Sequence, residues 1–360
     1  MGLAVVKQKL CQTIDEARVF ARSLGVVEDA EDVKPDIDAD SKTDEDNPDD
    51  NNFFNAGVLG RGTNTMSTKF PFCIVKPFRG SASDDVFLCK DVRELDVAFG
   101  KIKGSTVFGE PKNKHESVLV QEFATGTEYA LDTVSKNGEH KIAALWRYDK
   151  RPANGAPFVY HATELVDANT KTGKSICEYT KKTLDALGIR WGLTHTEIIF
   201  RNGIGPRLVE VNCRQHNMDF IPLAMAAVGY NSLDMLLTAY LGGKGEAFYP
   251  PDTDHLRLDW DELPDIPSTR VYGAMVHLVC HAKGRLAGLN MNALSEIAEL
   301  ESVRDKEIYS SFAEVGSSIE PTVNIKTDAG WIHLVHFDKE TFRKDYERIV
   351  ELMPVLFEVE

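Results

Sequence analysis

The first apolar residues of the chain that recur at helical spacing follow a helix-start signal. Thr13 and Glu16 form a capping box, in which each side chain can accept a hydrogen bond from the backbone of the other residue. Gly25 follows the last apolar position and is typical of a helix end. We therefore predict one short amphipathic helix at the start of the chain.

Short runs of β-branched and aromatic residues begin at residue 70, and they predict a small α/β lobe. Asp91 caps a helix that extends to about Lys103. The strands predicted around this helix are residues 72–75, 86–89 and 118–123.

The later part of the chain is richer in strand patterns, and it predicts a larger lobe. Its predicted strands are residues 128–135, 141–148, 194–201 and 206–211, with further strands after residue 270. Its predicted helices are residues 174–187, 220–228, 232–241 and 340–353. A loop that contains Pro and Gly is predicted at residues 150–157.

Acidic residues are concentrated between the first helix and the small lobe. Residues 28–50 carry twelve Asp or Glu against Lys34 and Lys42, and thus supply −10 of the net charge of −15. A segment this polar buries too little apolar surface to offset the entropy lost on ordering. We predict an α/β (α+β) fold in four parts: a remnant N-terminal helix at 1–25, an acidic disordered insertion at 26–69, a small lobe at 70–125, and a large antiparallel-sheet lobe with a strand-rich C-terminal segment at 126–360.

Composition excludes several classes of protein. Outside the acidic segment the chain is only mildly acidic, which argues against a nucleic-acid partner. No run approaches the roughly 18 to 20 apolar residues of a membrane-spanning helix, and the N-terminus lacks a signal-peptide pattern, so a cytoplasmic location is the default expectation. The six cysteines include no Cys-x-x-Cys pair, and they indicate neither a zinc site nor a disulfide framework.

Lys76 ends a predicted buried strand and precedes a turn of small residues that includes Gly80, Ser81 and Ser83. An ammonium group and several backbone N–H groups in this arrangement can surround a phosphate. A lysine at a strand end is more often simply exposed to solvent. This motif alone is therefore a weak indication of phosphate binding.

A second motif joins the third predicted strand to the next one through a glycine-containing turn. The strand carries Gln121 and Glu122, the turn contains Ala124, and Glu128 begins the following strand. Backbone groups of such a connection can bind an adenine edge, and the carboxylate can accept both ribose hydroxyls. An ordinary hairpin with a surface glutamate is an equally good interpretation.

A third motif places polar side chains on two consecutive strands. His195 and Glu197 share one face of the first strand, and Glu210, Asn212 and Arg214 share one face of the second. If the strands pair, their oxygens converge into a set that suits Mg²⁺. The alternative is a charged, solvent-facing sheet, which the flanking apolar residues make less favourable.

Together these motifs resemble the ATP-grasp superfamily of carboxylate-amine ligases, which includes D-alanyl-D-alanine ligase, biotin carboxylase and the bacilysin-type L-amino-acid ligases. The resemblance rests on Gln-Glu-Phe-x-x-Gly-x-Glu-Tyr from Gln121 and on Glu-x-Asn-x-Arg from Glu210, and it covers roughly residues 70–350. It is nearest to the L-amino-acid ligases. It implies an ATP-grasp fold with ATP between a small and a large lobe, and the Rossmann-like domain usual before the small lobe is expected to be largely absent.

The resemblance also implies roles for the residues of the three motifs. Lys76 and the loop at Gly80, Ser81 and Ser83 would bind ATP phosphates. Lys150 or Arg151 would bind the γ-phosphate or the substrate. The residues expected at adenine and ribose are Gln121, Glu122, Ala124 and Glu128. Those expected to hold one or two Mg²⁺ ions, with Mn²⁺ as an alternative, are Glu197, Glu210 and Asn212. Arg214 would stabilise transition-state charge, while His195 would either contact substrate or support its neighbours.

The implied activity is ATP- and Mg²⁺-dependent, ADP-forming ligation of a carboxylate, expected to be an amino acid, to an amine through an acyl phosphate. Its expected partners are these small-molecule substrates, and the oligomeric state stays open. A carboxylase-like enzyme that activates bicarbonate needs the same phosphate and metal groups. The short N-terminal region and Asp85 near the phosphate loop instead favour a catalytically silent nucleotide-binding module.

Overall fold

The computed structural model describes residues 3–29, 72–80, 85–107, 109–241 and 258–360. The helices are α1 Ile14–Ser23, α2 Val92–Ile102, α3 Lys171–Ala186, α4 Ile221–Val228, α5 Ser232–Leu241, α6 Met291–Glu299, α7 Ser310–Ala313 and α8 Lys339–Leu352. The strands are β1 Gln8–Cys11, β2 Cys73–Pro77, β3 Phe87–Cys89, β4 Thr106–Val107, β5 Glu110–Lys114, β6 Val118–Glu122, β7 Thr127–Lys136, β8 Glu139–Ala153, β9 Ala156–Val166, β10 Gly192–Arg201, β11 Gly205–Asn212, β12 Tyr272–His277, β13 Gly284–Leu289, β14 Val303–Ile308, β15 Ser318–Ile319, β16 Gly330–His336 and β17 Phe357–Val359.

A four-stranded antiparallel sheet in the order β1-β6-β2-β3 forms the small lobe, with α1 and α2 packed against it. The predicted capping box of α1 is confirmed, because Thr13 and Glu16 make both reciprocal hydrogen bonds. The N-terminal residues join this lobe, since β1 pairs with β6 and Val27 bridges to Asp91. The predicted acidic insertion lies, from residue 30 onward, outside the described residues.

An eight-stranded antiparallel sheet, in the order β11-β10-β7-β8-β9-β12-β16-β14, forms the large lobe. Helix α3 packs on one face of this sheet, where Ile176 contacts the apolar cluster around Leu131. Helix α4 packs on the opposite face, beside Ala130 and Trp146. The mixed α/β fold with a large antiparallel sheet is thereby confirmed.

The loop predicted at residues 150–157 is wrong, because this stretch is the tip of a long hairpin. Strand β8 continues to Ala153, and β9 starts at Ala156 directly opposite it. Asn154 and Gly155 have φ angles of 51° and 81°, which suit the two-residue turns that follow the twist of paired strands. Lys150 therefore lies on a strand and not in a loop.

The C-terminal part of the chain covers the far end of the large sheet. Helix α8 buries Phe342, Tyr346 and Ile349 in a core shared with β12, β16 and the small sheet β15-β13-β17. Among the described residues no single helix is long and apolar enough to cross a membrane. The bent pair Met218–Val228 and Ser232–Leu241 meets that test only when both helices are counted across their 86° bend.

Candidate functional site

A cavity of about 1160 Å³ is lined by residues of both the four-stranded and the eight-stranded sheet. Arg151, the alternative to Lys150, does not line this cavity and forms an ion pair with Asp149 instead. The other described candidates line it: Lys76, Gly80, Gln121, Glu122, Ala124, Glu128, Lys150, His195, Glu197, Glu210, Asn212 and Arg214. Ser81 and Ser83 lie outside the described residues. The three sequence motifs thus meet around one volume.

The small lobe contributes a basic side chain to the cavity wall. Lys76 lies on β2, where it pairs with Leu119 of β6, and its side chain is partly exposed to the cavity. Arg79 follows and forms an ion pair with Glu110, with Nη1 3.3 Å from Oε2. Asp85, the nearby acidic residue, is exposed at a turn with a φ of 52°. Positive charge therefore faces the cavity from this lobe.

The connection between β6 and β7 forms a second part of the wall. Gln121 is buried and donates from Nε2 to Gln8 Oε1 at 2.9 Å, while Glu122 forms an ion pair with Arg207. Gly126 has a φ of 142°, and a Cβ there would lie 2.4 Å from the backbone oxygen of Phe200. Only glycine fits this close approach of two backbones.

Two carboxylates face each other where β10 pairs with β11. Glu197 lies directly opposite Glu210, and His195 lies opposite Asn212. Asn212 donates from Nδ2 to Glu210 Oε1 at 2.7 Å, which leaves its carbonyl oxygen available as a ligand. Like charges directly opposite on paired strands repel each other, so this position favours a bound cation. Carboxylate and amide oxygens are hard donors, and the set fits Mg²⁺.

The electrostatic surroundings keep Glu197 ionised. Burial alone would raise the pKa of this carboxyl, but the ion pair with His195 and the charges of Lys150 and Lys76 lower it to about 2. An ionised carboxylate is the form that binds a metal ion. Glu210, by contrast, is exposed toward the cavity.

Lys150 and Glu128 form a largely buried ion pair next to these carboxylates. Lys150 Nζ donates to both oxygens of Glu128 at 2.8 Å, and it also lies 5.0 Å from the ring centre of Tyr148 and 4.5 Å from that of Tyr160. Burial raises the pKa of Glu128, and the charge of Lys150 opposes this rise. The pair thus holds a cation over two aromatic faces in the cavity wall.

A buried polar cluster supports Glu197 from behind. His195 Nδ1 lies 2.7 Å from Asp132 Oδ1, and its Nε2 lies 3.2 Å from the Tyr148 hydroxyl and 3.6 Å from Glu197 Oε1. Burial alone would lower the pKa of His195, but the hydrogen bond to Asp132 and the ion pair with Glu197 raise it to about 9. A protonated imidazole between two carboxylates fixes the orientation of both, so these contacts favour the supporting role for His195.

His216 and Trp146 complete this cluster. Trp146 donates from Nε1 to Asp132 Oδ2 at 2.6 Å, and His216 Nδ1 lies 3.4 Å from the same oxygen. The rings of His216 and Phe220 stack, with centres 3.9 Å apart. Asp132, His195 and His216 offer ligand atoms within 4.8 Å of one another, yet two of the three already bond to each other.

Arg214 lies just beyond the end of β11. It is exposed and lines the cavity, and its Nη1 donates to the backbone oxygen of Gln215 at 2.9 Å. Asn217 and Asp219, which follow it, also line the cavity. Arg214 therefore lies two residues after the end of the strand that carries Glu210 and Asn212, and not on the face of that strand as the sequence predicted.

Several residues that line the cavity or support its wall were not found by sequence reasoning. Asp132 lies four residues after Glu128 on the same face of β7, and this spacing can be recognised in the sequence. Tyr148 and Tyr160 lie in largely apolar strand segments, so the sequence pattern did not distinguish them from core residues. His277 and Asp328 are 51 residues apart, and only the pairing of β12 with β16 brings them together.

Comparison with known proteins gives one family match and one curated relative. Residues 68–219 match a family model described as an ATP-grasp domain. Dapdiamide A synthase of Enterobacter agglomerans is 32% identical over 142 residues, which are 39% of this chain and 32% of that protein. The match thus spans about a third of the length of that relative.

Solved structures share the fold at low sequence identity. An L-amino acid ligase from Bacillus licheniformis superposes with a TM-score of 0.60 at 17% identity, covering 97% of this chain and 72% of that one. An N5-carboxyaminoimidazole synthase from Aspergillus clavatus, solved with ADP, gives 0.57 at 11% identity and covers 98% and 69%. At these identities the likeness shows the fold alone.

Proposed function

We propose that this chain joins the carboxylate of an amino acid or a similar acid to an amine, with ATP and Mg²⁺ and through an acyl phosphate; the match of residues 68–219 to an ATP-grasp domain and the similarity to amino acid ligases support this. The observation that carries the proposal is the facing pair of Glu197 and Glu210, in the same cavity as Lys76 and Lys150. Carboxylate oxygens that can bind a metal ion, next to two lysines that can bind phosphates, suit a complex of a metal ion with a triphosphate.

The size of the cavity supports more than one ligand. Single small-molecule sites typically enclose about 300 to 1,000 Å³, whereas this cavity encloses about 1160 Å³. It can therefore hold a nucleotide together with the groups that react. This agrees with a ligation in which ATP, a carboxylate and an amine must meet.

Nucleotide binding is assigned to the small lobe and the connection that follows it. Lys76 and the backbone at Gly80 would hold the phosphates, with Ser81 and Ser83 beyond the described residues. Adenine would lie against the backbone of Gln121, Glu122 and Ala124. Glu128 would accept the ribose hydroxyls, and Lys150, which it holds in place, would reach the γ-phosphate.

Glu197, Glu210 and Asn212 would hold Mg²⁺, which, when bound, neutralises phosphate charge and orients the triphosphate. Asp132 and His195 position Glu197, and we assign His195 this role instead of substrate contact. The substrate carboxylate attacks the γ-phosphorus, the bond from the γ-phosphorus to the bridging oxygen breaks and ADP leaves, while Lys76 and Lys150 balance the charge. The amine then displaces phosphate from the acyl carbon, and Arg214 stabilises the oxyanion that forms.

The test is ATP-dependent phosphate release by the purified chain, with Mg²⁺ and a library of single and paired amino acids. We expect release that requires an amino acid and disappears in Glu210→Ala. A parallel titration should show that Lys76→Ala weakens ATP binding. Release that requires only bicarbonate would replace the ligase with a carboxylase-like activity, and ATP binding without release under any condition would support the silent module.

A further inference from the structure

One end of the cavity contains a buried imidazole–carboxylate pair that none of the roles above uses. His277 Nδ1 lies 2.6 Å from Asp328 Oδ2, and the two side chains are 5% and 4% exposed. Both residues line the cavity, together with Tyr160, Tyr309 and Met275. The pair is therefore buried from bulk solvent yet faces the volume in which we expect the substrates.

Hydrogen bonding determines which nitrogen of His277 can act as a base. A carboxylate only accepts, so Nδ1 carries the hydrogen donated to Asp328 and Nε2 keeps its lone pair. His277 Nε2 lies 3.5 Å from Thr163 Oγ1, at the limit of a hydrogen bond. The pair has the arrangement of a general base that a carboxylate orients.

The backbone around the pair holds it rigidly. His277 ends β12, which pairs with β9 on one side and with β16 on the other. Leu278 N donates to Gly330 O at 2.9 Å, and Ala329 N donates to Leu278 O at 3.1 Å. A Cβ at Gly330 would lie 2.0 Å from the backbone oxygen of Glu307, so the turn that presents Asp328 requires glycine. Such support is typical of a preorganised site.

The ring of Tyr160 lies between the His277–Asp328 pair and Lys150, which is a candidate for phosphate binding. The ring centres of His277 and Tyr160 are 5.5 Å apart, and Lys150 Nζ lies 4.5 Å from the centre of Tyr160. The titratable groups around His277 are Asp328, Tyr160 and Tyr309, which lies beside Asp328. Burial, and then the charges of Asp328 and Asp219, raise the pKa of Tyr309 to about 12. Asp219 also lines the cavity near Tyr309, and its carboxylate together with that of Asp328 favours a cationic ligand.

We propose that His277 and Asp328 form the amine subsite, in which His277 takes a proton from a primary ammonium substrate such as the α-amino group of an amino acid. The inference rests on the proposed ligase function. The ammonium loses one proton to Nε2, and the nitrogen lone pair forms the C–N bond to give the tetrahedral oxyanion. Collapse of that oxyanion then breaks the C–O bond to phosphate. The second proton leaves with the phosphate.

The test separates activation of the carboxylate from attack by the amine. Hydroxylamine is largely unprotonated at neutral pH and needs no base, so it traps the acyl phosphate as a hydroxamate. For His277→Gln we expect hydroxamate formation within about twofold of the wild type, and amide synthesis at neutral pH lower by about 100-fold or more. Amide synthesis should recover as pH rises and the amine deprotonates unaided. His281→Gln, an exposed histidine, is the control.

Asp328→Asn keeps the imidazole and changes its hydrogen-bond partner, so we expect a smaller loss of amide synthesis with the same intact hydroxamate rate. Equal losses of both products in His277→Gln, or a loss of neither, would overturn the amine subsite and leave the ligase function standing. A wild type that forms no hydroxamate with any amino acid would overturn the ligase function and this inference with it.

Discussion

Lys150 Nζ lies 2.8 Å from both carboxylate oxygens of Glu128, and the two side chains are only 12% and 21% exposed. Removing one member of such a pair leaves a buried charge without compensation. For Lys150→Met we expect a loss of about 3–5 kcal/mol in the free energy of unfolding, measured in urea. Adding Glu128→Gln should restore most of it.

The control for this pair is a surface ion pair of the same type. Lys181 Nζ lies 3.0 Å from Asp265 Oδ2, and the carboxylate is 69% exposed. Lys181→Met should cost no more than about 1 kcal/mol. If Lys150→Met costs as little, the buried pair does not contribute to stability in the way its geometry indicates.

Glu210 lies directly opposite Glu197, so we expect its replacement to stabilise the protein, whereas replacement of Lys150 destabilises it. Without metal, Glu210→Gln removes a like-charge contact and should stabilise the protein by about 0.2–1 kcal/mol. The same change should abolish the rise in melting temperature that Mg²⁺ and ATP give the wild type. Glu307→Gln, at an exposed position on β14, should change neither result.

Arg214 should affect turnover more than nucleotide binding. If its guanidinium stabilises the oxyanion, Arg214→Ala should lower kcat on the order of 100- to 1,000-fold and leave the KM for ATP nearly unchanged. Steady-state phosphate release with varied ATP measures both constants. Arg304→Ala, which removes an exposed arginine bonded to backbone oxygens, is the control. A rise in KM alone would assign Arg214 to substrate binding.

Gly126 should tolerate no side chain. Gly126→Ala would introduce a Cβ 2.4 Å from Phe200 O at a φ of 142°, so we expect a loss of about 1–3 kcal/mol or more and weaker ATP binding. Gly100 lies in α2 with no atom within 4 Å of the added Cβ, and Gly100→Ala should stabilise the protein by about 0.5–1 kcal/mol. Chemical unfolding and ATP titration of both variants provide the comparison.

His161 should make stability depend on pH, independently of the site. Burial lowers its pKa from 6.5 to about 4, with the hydrogen bond to Val159 O opposing the shift. The unfolded chain binds this proton at higher pH than the folded chain does, so stability is lost as pH falls from 6.5 toward 4. His161→Gln should remove about 3 kcal/mol of that pH dependence. Identical pH profiles would show that His161 does not titrate differently on folding.

Local sequence determined much of the fold and most of the candidate site. The capping box of α1, the cap of α2 and the strands that carry Lys76, Glu197 and Glu210 all follow from residues close together in the chain, whose propensities and spacing can be read directly. Alternation along β10 and β11 predicted that their carboxylates converge. The two strands do pair, and their register places Glu197 opposite Glu210.

Only the tertiary structure decided which distant residues meet. The hairpin at Asn154 was predicted as a loop because Pro and Gly dominate the local signal, whereas strand pairing over the length of β8 and β9 determines the result. Asp132 contacts His195 across two paired strands, at a separation of 63 residues. Asp328, which precedes β16, contacts His277 at a separation of 51 residues. Sheet order and register, set by the packing of the whole core, create these pairs, and no local pattern encodes them.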